Sequence, residues 1–215
     1  MPPDIACRTT PRLAGEFPGM QFGVVIATQV DAEAFEGAAG EFAARVAGDL
    51  QHLSQDIQRN LAAFEGFFAR YGQRCPLRSQ ISKAGRRGFP SSLPAPILAL
   101  LALEASTGVL MGVQDMNAMC DYLELDVLSA PQGFLGMNGK TINCLAGEVV
   151  VRDGLDIVAS LLRGPDRRTA VSTSSVNLLF YVFDAYPSLG AGHAAAVEAV
   201  ESLASLGALE TAVLH

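Results

Sequence analysis

Arg86-Arg-Gly-Phe-Pro-Ser-Ser-Leu-Pro-Ala-Pro-Ile-Leu-Ala-Leu-Leu-Ala-Leu-Glu-Ala-Ser-Thr-Gly-Val-Leu-Met-Gly-Val-Gln-Asp115 is the stretch around which the chain is organised. It has a basic lead-in, a proline-punctuated approach, and an almost wholly apolar run from Ile97 to Ala105 that stops at Gly108. Alanine and leucine are the best helix formers, Pro94 and Pro96 are tolerated only around a helix's first turn, and Gly108 stands where a C-terminal cap belongs. The stretch therefore predicts a short helix from about Ile97 to Thr107 in the middle of the core. Being apolar all round, such a helix needs cover on every side from strands and other helices.

Composition sets the outer bounds. The 215 residues are 50% hydrophobic and 17% charged, a balance that suits one folded domain with a sizeable core and excludes a disordered chain. No apolar run reaches the roughly 20 residues that a membrane span requires. The N-terminal Met-Pro-Pro-Asp-Ile-Ala-Cys-Arg lacks the basic-then-apolar order of a secretory signal, so the expected location is cytoplasmic and no membrane partner is expected. Cys7, Cys75, Cys120 and Cys144 stand far apart and read as reduced thiols. With three histidines and no clustered ligands, neither a metal nor a cofactor is expected. Glycine-rich nucleotide loops and a Gly-x-Ser-x-Gly elbow are also lacking.

Net charge is −7, which counts against a nucleic-acid partner. The basic residues are nevertheless bunched: Arg70, Arg74, Arg78, Lys83, Arg86 and Arg87 form one run, and Arg163, Arg167 and Arg168 another. A fold that joins the two runs presents one basic face on an acidic protein. Two solvated loops are the plainer reading.

In chain order, residues 1–17 are proline-rich and polar and read as a loose arm, with a single domain over 18–215. Met20 to Val30 has the β-branched content of a buried strand. Residues 31–71 are helical in composition, with Gly37, Gly40 and Gly48 as interruptions and Leu50, Leu53, Ile57, Leu61, Phe64, Phe67 and Phe68 forming one apolar stripe. A basic helix over Ser79 to Arg87 ends at Gly88, a strand spans Val109 to Val113, and a helical turn follows Asp115. Glu124 to Asn143 holds short strands between turns, and Ala146 to Gly154 is a strand closing in an Asp-Gly hairpin with Ile157 to Leu162. The Arg163–Thr169 segment is too polar for the core, Ser175 to Phe183 is a buried strand, and 193–206 is an amphipathic helix ending at Gly207 that docks on the sheet.

Several of these segments together resemble the B3/4 domain family, which comprises the editing domain of the bacterial phenylalanyl-tRNA synthetase beta subunit and its free-standing relatives. Pro90-Ser91, Gly108, Gly112 and Asp115 fall at the spacing of the family's central segment. Tyr71-Gly72 and Arg78-Ser79 resemble its lead-in, Gly147-Glu148-Val149-Val150 with Asp153 its "Gly-Glu-Val-Val-x-x-Asp", Arg163 to Thr169 its "Trp-Arg-Asp-Ser-x-Arg-Thr", and Asn177 to Phe180 its "Thr-x-Asn-Val-Leu-Phe". The resemblance covers residues 18 to 206 and implies an α+β fold with a central mixed β-sheet wrapped by helices.

It further implies a substrate pocket at Ser91, Leu100, Leu101, Gly112, Asp115, Leu162, Arg163, Asp166 and Thr169, and a transfer-RNA contact at Arg86, Arg87, Arg167 and Arg168. The family's polar helix residues fall within Ile97 to Leu101, its pocket histidine on Gly112 and its strand glutamate near Tyr181 or Phe183, so this pocket favours a less polar ligand. No catalytic residue follows from the match.

Among other chemistry-bearing residues, Cys120 and Cys144 read as small buried groups, His52 and His193 as structural or exposed, and Glu148 with Asp153 either as an acid–base pair or as turn-fixing carboxylates. Three readings follow: the favoured one is an aminoacyl-tRNA deacylase acting in trans on the acceptor end of transfer RNA, and the alternatives are an enzyme of specialised metabolism acting on a small apolar amino-acid-derived compound and a non-catalytic binding module.

Overall fold

The computed structural model describes residues 5–20, 22–187, 189–208 and 210–214. In chain order its elements are β1 (Ala6–Thr9), α1 (Pro11–Glu16), β2 (Phe22–Thr28), α2 (Ala32–Asp49), α3 (Gln55–Ala69), α4 (Leu77–Arg87), α5 (Ala95–Thr107) and β3 (Met111–Asp115). A single 3-10 turn, Met116–Ala118, leads to β4 (Tyr122–Val127), β5 (Gln132–Leu135), β6 (Thr141–Cys144), β7 (Val149–Arg152), β8 (Ile157–Ser160), β9 (Gly164–Pro165) and β10 (Leu178–Phe183). Helix α6 (Ala191–Ala204) and β11 (Glu210–Leu214) complete the fold.

The class is α+β, and the sheet is divided in two. A five-stranded mixed sheet runs β1-β4-β7-β8-β9, with β1 parallel to β4 and the other pairs antiparallel. Beside it stands an antiparallel sheet in the order β11-β2-β10-β3. A side-chain bond from Gln114 Nε2 on β3 to the Val158 carbonyl on β8 (3.1 Å) joins the two sheets. The β5–β6 hairpin is a separate two-stranded piece.

Helix α5 packs on α2, α3, α4, α6 and β3, which makes it the hub that its sequence predicts. Pro94 precedes it and Pro96 sits in its first turn, where no intrahelical donor is lost. Gly108 ends it in the left-handed region (φ 70°), its N–H returning to the Glu104 carbonyl at 2.8 Å. Only glycine suits that corner, because a Cβ there would lie 2.7 Å from the Ile57 carbonyl oxygen. Pro96, Ala99, Ala102, Leu103, Glu104 and Ala105 are buried, whereas Ile97, Leu98, Leu100 and Leu101 are only half-buried. Cover is thus incomplete, and three of those four half-buried side chains, Ile97, Leu100 and Leu101, face a cavity.

Three expectations are corrected, and one strand is new. Of the loose arm expected over residues 1–17, the first four lie outside the described residues, and from Ile5 onward it is ordered structure. β1 pairs with β4, Thr10 caps α1 and donates to Asp126 (2.8 Å), and Ile5, Leu13 and Phe17 are buried. Gly37, Gly40 and Gly48 do not interrupt α2, which runs unbroken from its Asp31 cap. The segment 163–169 is not excluded from the core: Asp166 and Thr169 are buried and bond to each other. β11, which no sequence signal announced, adds a strand to the edge of β2.

Two helix readings hold. The stripe on α3 is internal, with Leu61, Phe64, Phe67 and Phe68 buried, and α6 lies on β2 and β10. His193 is buried, with Nε2 3.1 Å from the Val182 carbonyl oxygen. Among the described residues no helix is long and apolar enough to cross a membrane.

The glycines of α2 and α5 give opposite predictions. Gly37 is exposed in mid-helix with open space where a Cβ would go, so Gly37→Ala should stabilise the fold by about 0.5–1 kcal/mol. Gly108→Ala should destabilise it by about 1–2 kcal/mol for the left-handed backbone alone, with the Ile57 clash adding to that. Urea unfolding of the two variants beside the parent checks both signs.

Candidate functional site

A cavity of about 340 Å³ opens between α5, β3, the β8–β9 segment and β10. Its walls are mostly apolar: Ile97, Leu100 and Leu101 from α5, Met111 and Val113 from β3, and Leu161, Leu162 and Phe183 opposite. A second hollow of about 400 Å³ lies between α4 and α5, lined by Ile81, Ala84 and Phe89 with Lys83 and Arg87 on it. The two share Gln80, Leu101 and Glu104, so Glu104 stands at the wall between them.

Glu104 is the carboxylate within the apolar run, and the helix carries it inside, 6% exposed. One oxygen, Oε1, accepts the Met111 N–H at 3.0 Å, and among the described residues Oε2 has no protein donor. Burial penalises the charged form and pushes the carboxyl up to about 8, with the Met111 bond pulling weakly the other way. The group is therefore largely protonated at neutral pH.

The back of the cavity is a polar chain. Tyr181 on β10 sits directly opposite Gly112 on β3, and its ring occupies the space a side chain at 112 would need. A Cβ on Gly112 would lie 2.0 Å from Tyr181 Cζ. The phenol oxygen accepts from Gln114 Nε2 (2.9 Å), and Gln114 Oε1 accepts from the Thr169 hydroxyl (2.9 Å), which also lies within bonding distance of Asp166. Burial raises the Tyr181 phenol well above its ordinary range, so it stays neutral. The chain of bonds fixes the 163–169 segment to β3 and β10, each member making at least one hydrogen bond.

The residues that the resemblance assigns to a pocket are partly assembled. Leu100, Leu101, Gly112, Leu162 and Arg163 line the cavity. Ser91 is exposed in the turn before α5, Asp115 accepts from the Ser175 hydroxyl (2.6 Å) and the Asn117 N–H (2.9 Å), and Asp166 and Thr169 serve behind the wall. Glu104 on the wall and Gln114 behind it add polar groups that sequence reasoning passed over, and Tyr181, met there only as a position near the family's strand glutamate, joins them.

The basic residues divide as well. Arg86 and Arg87 are exposed at the end of α4, Arg87 lining the second hollow, and Arg167 is exposed. Arg163 pairs with the buried Glu148, which raises its already high pKa further. Arg168 donates to Asp153 (2.9 Å) and to the Ala118 carbonyl (2.7 Å). Taking a guanidinium from a buried carboxylate costs about 3–5 kcal/mol, so Arg163 and Arg168 hold the loop before they hold a phosphate. Elsewhere Arg70 stacks on Phe17 and Tyr186, and Arg78 forms a two-pronged pair with Glu65.

Other chemistry is quiet. Glu148 and Asp153 take separate arginines, and Asp153 also fixes the β7–β8 turn through the N–H groups of Leu155 and Asp156. Burial pushes the Cys7 and Cys75 thiols up to about 11 and raises Cys144, so none of the three supplies a thiolate. Among the described residues no group of three or more His, Cys, Asp or Glu is placed to hold a metal ion.

No protein-family model matches the chain, and no curated protein matches it in sequence. Among solved structures, an N-terminal fragment of the phenylalanyl-tRNA synthetase beta subunit from Pyrococcus horikoshii is similar, with a TM-score of 0.55 and 8% identity. The match covers 98% of this chain and 50% of that one, so this chain spans half the length of that fragment. At such identity the likeness is one of fold.

Two predictions test the site's construction. Gly112→Ala should destabilise the fold by about 2–3 kcal/mol by displacing the Tyr181 ring, and should cost less in a Tyr181→Ala background, as a double-mutant cycle reads directly. Glu104 binds its proton more tightly folded than unfolded, so its contribution is fully present below about pH 4.5 and is lost as pH rises to about 8. Relative to Glu104→Gln, whose amide does not titrate, the parent should lose stability across that window, at most about 1.4 kcal/mol per pH unit.

Proposed function

We propose that the chain binds a small, largely apolar ligand of the amino-acid class in the cavity between α5 and the two sheets. The observation that carries this is the wall itself: Ile97, Leu100 and Leu101 line it, and the last two stand where the resemblance puts hydrogen-bonding groups. Apolar walls with a few placed polar groups, at a volume near the lower end of the usual range of about 300–1,000 Å³, select small apolar molecules. The fold neighbour belongs to a phenylalanyl-tRNA synthetase, which makes an amino acid, free or esterified, the first ligand to test.

Hydrolysis of aminoacyl-tRNA in trans is the second reading. It is favoured by Arg86, Arg87 and Arg167, which are exposed, and by the position of Arg87 on the hollow adjoining the cavity. It asks little of the protein beyond orientation and polarisation of a water and an ester.

Calorimetric titration with phenylalanine, leucine, serine and their methyl esters separates ligand classes. The apolar compounds should bind, and Leu101→Asn should weaken them about tenfold relative to serine. If none binds, the cavity reading fails. Transfer RNAs charged with tyrosine, phenylalanine or smaller apolar amino acids then test the second reading against a no-protein control. A deacylase should slow steeply with salt and lose affinity for all transfer RNAs alike on Arg86→Ala/Arg87→Ala. Rates equal to the control remove it.

A further inference from the structure

Glu104 is a buried carboxyl between two hollows, with one oxygen fixed and the other given no protein donor among the described residues. Among the described residues the buried side-chain polar atom left without a partner is Thr28 Oγ1, so Oε2 is not sealed in the interior: it reaches the space of the hollows, open to a donor from solvent or from a ligand. Here the Met111 amide needs only Oε1. The residue is also dispensable to helix formation, because leucine or alanine at this position would propagate α5 equally well.

We propose that Glu104 is the recognition site for a primary amino group on the ligand, Oε2 receiving the ammonium while Oε1 keeps the Met111 amide. The inference rests on the cavity holding a small ligand, and it names the chemical class: an amine with an apolar body. An ammonium brought into an apolar cavity needs a counter-charge, and a carboxyl that ionises on demand supplies one. The proton balance is simple. The carboxyl proton leaves to solvent as the ammonium arrives, and no net charge is added to the interior.

The ionisable groups around Glu104 lie on or beside α4, β8 and β10. Cys75 precedes α4 and Lys83 and Arg87 lie on it, Arg163 follows β8, and Tyr181 faces from β10. Cys75 and Tyr181 are neutral, and Arg163 is balanced by Glu148. Lys83 and Arg87 favour the ionised carboxylate and disfavour an incoming ammonium, but both are exposed and screened by salt.

Phenethylamine is the probe, with phenethyl alcohol and hydrocinnamate as matched compounds lacking the amine. Titration calorimetry in phosphate and in Tris at about pH 7 should show close to one proton released per amine bound, and none at about pH 9. The amine should bind about ten- to a hundredfold more tightly than the alcohol. Glu104→Gln keeps an oxygen for Met111 and should lose both the proton release and the amine preference while still binding the alcohol. Should that variant unfold, proton release by the parent in the two buffers decides alone. Equal binding of amine and alcohol without proton release, or tightest binding of hydrocinnamate, overturns the amine site and leaves the cavity reading standing. Failure of all three compounds to bind overturns both.

Discussion

The bond from the Met111 amide to Glu104 ties the central helix to the strand that follows it, across the left-handed corner at Gly108. Much of the architecture depends on that closure. It sets β3 beside α5, and β3 in turn carries Gly112, which admits the Tyr181 ring, and Gln114, which bonds across to the second sheet. A carboxyl inside an otherwise apolar helix would ordinarily be a fault in the core. Here it caps a strand with one oxygen and faces a cavity with the other.

The central helix was legible because its signals are local: prolines at one end, glycine at the other, alanine and leucine between. The β7–β8 hairpin was legible for the same reason, through Asp153 and Gly154. What escaped reading depends on partners far away in sequence. Ala6–Thr9 is a strand because β4 lies 116 residues on, where Glu124 receives Arg8 and Tyr122 lies 3.8 Å beneath its guanidinium. Asp166 and Thr169 look too polar for a core until Gln114, 55 residues from Thr169, supplies a partner. Glu104 was visible as one carboxylate in an apolar run. That Met111 would satisfy only one of its oxygens was not visible.

The electrostatics weigh the two functional readings against each other. Of the four arginines that the resemblance would aim at transfer RNA, Arg168 is held by an internal carboxylate and a carbonyl, while Arg86, Arg87 and Arg167 are exposed. In the cavity Arg163 is likewise held by Glu148. A basic face therefore survives only in part on a chain of net charge −7. The cavity wall, by contrast, is apolar on α5, β3 and β10, which supports the proposed small apolar ligand over one that brings phosphates.

The ionisation of Glu104 is the point on which the account turns, and carbon-13 NMR of its carboxyl, in protein labelled at glutamate and assigned by comparison with Glu104→Gln, measures it most directly. The account predicts a protonated carboxyl at neutral pH that titrates near 8 in the free protein and becomes ionised when phenethylamine is added. A carboxyl that titrates near its ordinary 4.5 and is unmoved by the amine would contradict it.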